Sequence, residues 1–156
     1  MESMNVNIKL LNEKAVVPAK ANNDDGNACY DVVATSVKIN HGDNFIEYGL
    51  GFATEFSSDW ECQIRPRSSL SKYDLILANT PGTIDSNYRG EWKIRFKVVD
   101  SRQYFNNEVC DRIYKAGDKI AQISFHKVTK TLFNKVDELD ASLRGDGGFG
   151  STDANA

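Results

Sequence analysis

Apolar and polar residues alternate from the start of the chain: Met4, Val6, Ile8 and Leu10 are separated by Asn5, Asn7 and Lys9. A period of two places each set on one face of an extended segment, so the pattern predicts a half-buried opening strand. Short runs of similar character follow around Val32 to Ala34, Val37 to Ile39, Phe45 to Tyr48, Gly51 to Phe56 and Cys62 to Arg65, separated by Gly, Asn, Asp and Ser clusters. That spacing predicts an all-β sandwich or barrel rather than βαβ units. Farther on, Trp92, Ile94, Phe96 and Val98 alternate with Lys93, Arg95 and Lys97, and in Lys119 to Val128 Ile123 and Phe125 oppose Gln122, Ser124 and His126. Helical periodicity is weak, with one or two turns expected near Ser69 to Tyr73 and Asp137 to Leu143.

Leu75 to Arg95 has the punctuation of a β-hairpin: an apolar run, the turn-forming Asn79-Thr-Pro-Gly82, a short polar segment, then the Trp92 strand. Asn79, Asp85 and Tyr88 are expected at its tip. They offer an amide for a polar ring edge, a carboxylate able to polarise water and an aromatic face, which together suit a nucleotide.

Acidic residues outnumber Lys and Arg by 22 to 19, so a phosphate ligand must be held by locally placed arginines rather than by a broad basic surface. With 156 residues the chain fits one domain. Cys29, Cys62 and Cys110 cannot all pair within one chain and lack zinc-site spacing, which fits a reducing compartment. The N-terminus does not read as a signal peptide and no apolar run reaches membrane-span length, so a cytoplasmic protein is expected.

Two further stretches suit anions. Arg67 falls opposite Cys62, Ile64 and Pro66 where its strand ends; taken alone, the following Ser68 and Ser69 read first as the cap of a helical turn, and the same geometry suits an anion. Arg144-Gly-Asp-Gly-Gly-Phe-Gly-Ser-Thr152 holds four of the chain's eleven glycines. Taken alone it reads as a mobile terminus, yet it combines a close-approaching backbone, an arginine, two hydroxyls and the stacking face of Phe149. It is not a P-loop. Asp31 and Asp85, each taken alone, are equally readable as turn aspartates.

Gly82-Thr-Ile-Asp-Ser-Asn-Tyr-Arg-Gly-Glu91 resembles the third motif of the trimeric dUTPases. Ala28-Cys-Tyr-Asp-Val32, Pro66-Arg-Ser-Ser-Leu70, Ala116-Gly-Asp-Lys-Ile-Ala-Gln-Ile123 and Arg144 to Thr152 resemble the first, second, fourth and fifth, in family order. Cys29 and Ser69 stand where the family usually has glycine, which strains the backbone if φ is positive there. The resemblance implies an all-β fold of the dUTPase type, a distorted jelly roll or β-clip barrel with at most one or two short helices. It spans residues 1–143, with 144–156 as a mobile arm. It further implies a homotrimer with shared active sites that hydrolyses dUTP to dUMP and pyrophosphate with Mg²⁺.

On this resemblance Asp85 is the general base. Asn79, Gly82, Thr83 and Ile84 receive uracil and Tyr88 excludes a 2′-hydroxyl. Arg67, Ser68, Ser69, Gln122 and Arg144 hold the triphosphate together with Gly148, Gly150, Ser151 and Thr152, while Phe149 covers the base. Asp31 supports a metal-bound water at most, the ion resting mainly on the triphosphate. The nearest rival is a dCTP deaminase or bifunctional deaminase and dUTPase; Trp92-Lys-Ile-Arg-Phe96 lacks the Thr-Leu-Glu that supplies the deaminase carboxylate. A separate possibility is a regulatory scaffold that contacts a protein partner through the long polar connection 100–116.

Overall fold

The structure, a computed structural model, describes residues 3–99 and 112–148. Among the described residues ten strands succeed one another: β1 Asn7–Leu10, β2 Tyr30–Val33, β3 Ser36–Asn40, β4 Phe45–Gly49, β5 Phe52–Glu55, β6 Trp60–Arg65, β7 Leu75–Leu77, β8 Gly82–Ile84, β9 Lys93–Val98 and β10 Lys119–Lys127. They form a two-stranded sheet β1-β5 and two four-stranded sheets, β2-β10-β6-β8 and β3-β4-β9-β7, with every pairing antiparallel. The fold is therefore an all-β, jelly-roll-like sandwich whose sheets, among the described residues, do not close into a barrel.

The predicted alternation sets the core. On β9 and the residue before it, Trp92, Ile94, Phe96 and Val98 are buried while Lys93, Arg95 and Lys97 are exposed. The facing sheet contributes Val32, Cys62, Ile64, Ala121 and Ile123 to the same cluster. Tyr48 meets Phe96 edge-on at 5.7 Å between ring centroids, and its hydroxyl donates to the Tyr114 carbonyl at 3.0 Å, so a fully buried polar atom is satisfied. Burial pushes the Cys62 thiol up to about 12, which keeps it unreactive at neutral pH.

Helical expectations divide. The Ser69 to Tyr73 turn exists as a 3-10 segment, Ser68–Lys72, and another occupies Ala21–Asn23 in a stretch read as loop. The turn expected over Asp137 to Leu143 is absent. Leu139 and Leu143 are exposed there, and so short a segment has no packing surface to offset the cost of helix nucleation. Most of the 100–116 connection, including Tyr104, Phe105 and Val109, lies outside the described residues.

On the outer side of β4, Glu47 accepts hydrogen bonds from Arg95 at 2.8 Å and faces Lys93 at 3.4 Å. The Arg95 hydrogen bond holds its carboxyl below the ordinary 4.5, outweighing the opposing effect of burial. A depressed carboxylate pKa contributes stability above the unfolded value and loses it as pH falls through the folded one. Glu47→Gln is accordingly expected to lower the urea midpoint at neutral pH and to converge with the parent chain in acid, below pH 4.5.

Candidate functional site

The hairpin expectation holds in part. Its arms pair, with Leu77 opposite Phe96 and the ladder continued by Ala78 N–H to Arg95 O at 2.9 Å. The stretch between them is not a simple tip. It crosses to the other sheet, where β8 pairs with β6 and Gly82 lies opposite Ile64. The crossing opens a cavity of about 250 Å³ lined by Asn79, Gly82, Thr83, Ile84, Asp85 and Tyr88, with Leu77 and Ile94 among its apolar walls. The residues anticipated for base, sugar and water between Asn79 and Tyr88 are thus gathered at one place.

Local chemistry explains the shape. Gly82 is buried where the turn lies on β6, with Asn79 and Ile64 both 3.4 Å from the position a Cβ would take, an ordinary van der Waals distance. After β8 the chain turns through Asp85 to Tyr88, closed by Tyr88 N–H to Asp85 O at 3.1 Å, and Arg89 braces the turn by donating to Ser86 O at 2.6 Å. Tyr88 then folds back over Gly90, where a Cβ would lie 2.6 Å from its Cζ, and donates its hydroxyl to Glu91 O at 3.0 Å. Asp85 is exposed.

The phosphate candidates form a second cluster on the β2-β10-β6 sheet. Gln122 on the central strand faces Asp31 on one side and Arg65 on the other, and its amide donates to Pro66 O at 2.9 Å. Arg67 donates through Nε to Asp31 Oδ1 at 2.9 Å and through Nη1 to Lys119 O at 3.1 Å and Ser69 Oγ at 3.3 Å. Lys119 Nζ stands 3.0 Å from Asp31 Oδ2, an ion pair without hydrogen-bond geometry. Asp31 is therefore the anchor of a largely buried ion pair rather than a turn aspartate. Such a pair fixes the arginine's position firmly, since removing one partner strands the other charge away from water.

Ser68 and Ser69 open the 3-10 turn beside Arg67. Neither Ser69 nor Cys29 is among the described non-glycine residues with positive φ, which are Asn22, Asn23 and Asn44, so loss of glycine at those two positions costs no left-handed strain. Cys29, with Asp31 and Gln122, borders a small cleft of about 150 Å³.

One chain does not bring the two clusters together. Arg67 is three residues beyond Ile64, and Asp85 three beyond Gly82 in the opposite direction along the same antiparallel pair. That places them on the order of 20 Å apart. Among the described residues, 144–148 join neither cluster: Arg144 donates to Gly147 O at 2.9 Å, and a Cβ on Gly148 would meet nothing within 4 Å. Phe149, Gly150, Ser151 and Thr152 lie outside the described residues. Sequence reasoning missed Lys119 and Glu91 as supports. Lys119 belonged to a quoted motif, but its partner Asp31 is distant in sequence, and Glu91 meets its own partner, Gly51, across another such gap.

No group of three or more His, Cys, Asp or Glu among the described residues can cage a metal. Asp31 Oδ2 makes no hydrogen bond but is buried and 3.0 Å from Lys119 Nζ, so the carboxylate fits a supporting role toward an ion carried by a ligand's phosphates once that ammonium turns aside.

The dUTPase family model matches residues 14–153. The deoxyuridine 5'-triphosphate nucleotidohydrolase of Helicobacter hepaticus is 37% identical over 97% of this chain and 90% of its own length. That of Zymomonas mobilis is 38% identical over 93% of this chain and 94% of its own. Among solved structures, a dUTPase mutant of Staphylococcus bacteriophage 80alpha with dUpNHpp superposes with a TM-score of 0.76 at 20% identity, covering 95% of this chain and 98% of that one. A phage phi11 dUTPase mutant that coordinates a structural Mg(II) ion gives 0.71 at 19% identity, covering 86% and 97%. With the family model spanning nearly the whole length and these relatives matching over almost all of it, the chain belongs to the dUTPase family.

Proposed function

We propose that this chain hydrolyses dUTP to dUMP and pyrophosphate, with Asp85 orienting and deprotonating the water that attacks the α-phosphorus in line. The observation that carries the reading is the cavity beside β8, which gathers an amide, two backbone-lined glycine and threonine positions, an exposed carboxylate and an aromatic ring. Uracil enters between Asn79 and the Gly82–Ile84 strand, whose hydrogen-bonding edge rejects the reversed pattern of cytosine. Tyr88 lies along the deoxyribose and leaves no room for a 2′-hydroxyl. Arg67, preset by Asp31 and the Lys119 carbonyl, neutralises the triphosphate with Gln122, Ser68 and Ser69.

Mg²⁺ fits this site as an ion held by the substrate's phosphates with Asp31 behind a coordinated water; when bound, it supplies charge neutralisation on the phosphate oxygens. The working unit of the proposal is a homotrimer in which the Asp85 cavity of one chain meets the Arg67 cluster of another. Two features support it: the separation of the clusters, and the exposed apolar series Leu132, Phe133, Leu139 and Leu143 in the segment after β10. The arm with Arg144, Gly148, Phe149, Gly150, Ser151 and Thr152 closes over the bound nucleotide.

Pyrophosphate release measured with Mg²⁺ on dUTP, dTTP, dCTP and UTP tests the reading, with ammonia release from dCTP followed in parallel. Turnover confined to dUTP is expected. Ammonia from dCTP would favour the deaminase alternative, and equal turnover of dUTP and UTP would remove the assigned role of Tyr88.

A further inference from the structure

We infer that Glu91 is a positioning residue for Tyr88, and through it sets the preference for deoxyribose over ribose; the inference rests on the reading of Tyr88 as the sugar wall. Glu91 does not line the cavity. It acts at both of its ends. Its main-chain carbonyl accepts the Tyr88 hydroxyl at 3.0 Å, and its carboxylate Oε1 accepts the Gly51 N–H at 3.0 Å.

Gly51 belongs to the tight turn joining β4 to β5 and has φ of +70°, a left-handed conformation that glycine holds without strain. The carboxylate is seated closely in that turn, since a Cβ on Gly49 would stand 2.7 Å from Oε1. The next residue is tied to the same body by Leu50 N–H to Trp92 O at 3.0 Å and Trp92 N–H to Phe52 O at 2.9 Å. Two side chains thus tie the loop carrying Tyr88 to the sandwich: Arg89 reaches Thr54 O and Glu55 at 3.5 Å each, and Glu91 makes the shorter strut to Gly51, which fixes the carbonyl on which the ring is hung. Gly90 completes the arrangement, because any Cβ there collides with the Tyr88 hydroxyl.

A wall that must exclude one hydroxyl group depends on ring placement to a fraction of an ångström, so loosening the strut should blur sugar discrimination before it affects chemistry at Asp85. The test compares dUTP and UTP steady-state kinetics with Mg²⁺ for the full chain and its Glu91→Ala, Glu91→Gln, Tyr88→Phe and Glu91→Ala/Tyr88→Phe variants. Glu91→Ala is expected to lower the dUTP-to-UTP ratio of kcat/KM about tenfold, chiefly by raising kcat/KM for UTP as the loosened ring admits the 2′-hydroxyl, with kcat for dUTP retained. Glu91→Gln keeps an acceptor for the Gly51 N–H and should restore the ratio. Tyr88→Phe has no hydroxyl to hang on the carbonyl, so Glu91→Ala should add nothing to it.

A proportional loss on both substrates, or effects that add in the double variant, overturns the inference. Should Glu91→Ala not fold, Glu91→Asp, which withdraws the carboxylate by one methylene, carries the same comparison. A parent chain that shows no preference, or one whose preference survives Tyr88→Ala, overturns instead the sugar-wall reading on which the inference stands.

Discussion

Asp85→Asn is expected to lower dUTP turnover by about 10²–10⁴-fold, or roughly 3–5 kcal/mol of barrier, with little change in KM. Asparagine keeps the shape and the hydrogen-bonding reach of the side chain but cannot take a proton from water. Because Asp85 is exposed and its side chain makes no hydrogen bond or ion pair among the described residues, the substitution strands no buried group, and the thermal midpoint should stay with the parent's. Single-turnover measurement of pyrophosphate release checks the first expectation and a melting curve the second. If the variant retains turnover within a few-fold of the parent, water activation must be assigned to another residue.

The second large effect concerns the tail. A chain ending at Leu143 loses Arg144, whose charge-assisted contact to phosphate is worth about 1.5–3 kcal/mol, and Phe149, whose stacking adds about 1–3 kcal/mol. Ordering the arm offsets part of this, so kcat/KM should fall by roughly 10²–10³-fold. Stability should not change, because among the described residues Arg144 to Gly148 hydrogen-bond only to one another and, through the Gly145 N–H, to the exposed Ser142. Titration with a non-hydrolysable dUTP analogue separates lost affinity from lost chemistry. An unchanged kcat/KM would show that the glycine-rich segment does not close on substrate.

Much of this could be read from the chain alone, for a physical reason. A strand's side chains alternate strictly, so Trp92 to Val98 and Lys119 to Lys127 disclose their dry and wet faces without any knowledge of neighbours. Six of the residues lining the Asp85 cavity were also visible, because they fall within the single stretch from Asn79 to Tyr88. Sequence could not show that β8 deserts its hairpin for the other sheet, since strand pairing is a long-range choice between apolar partners of similar character. Nor could it show that Arg67 leans on Asp31 and on the Lys119 carbonyl, which lie 36 and 52 residues away along the chain. The false helix at Asp137 to Leu143 has the same origin: local spacing suggested a turn, but no tertiary surface is present to hold it.

The opposite placement of Arg67 and Asp85 along the β6–β8 pair bears on how the protein behaves at different abundances. On the proposed assembly no chain owns a complete catalytic set, so activity is a property of encounter and not of the polypeptide. Dilution below the association threshold should therefore silence a fully folded population, with rate falling more steeply than concentration. A cell that holds the chain near that threshold would obtain a sharp response to modest changes in expression, with no effector molecule and no conformational switch.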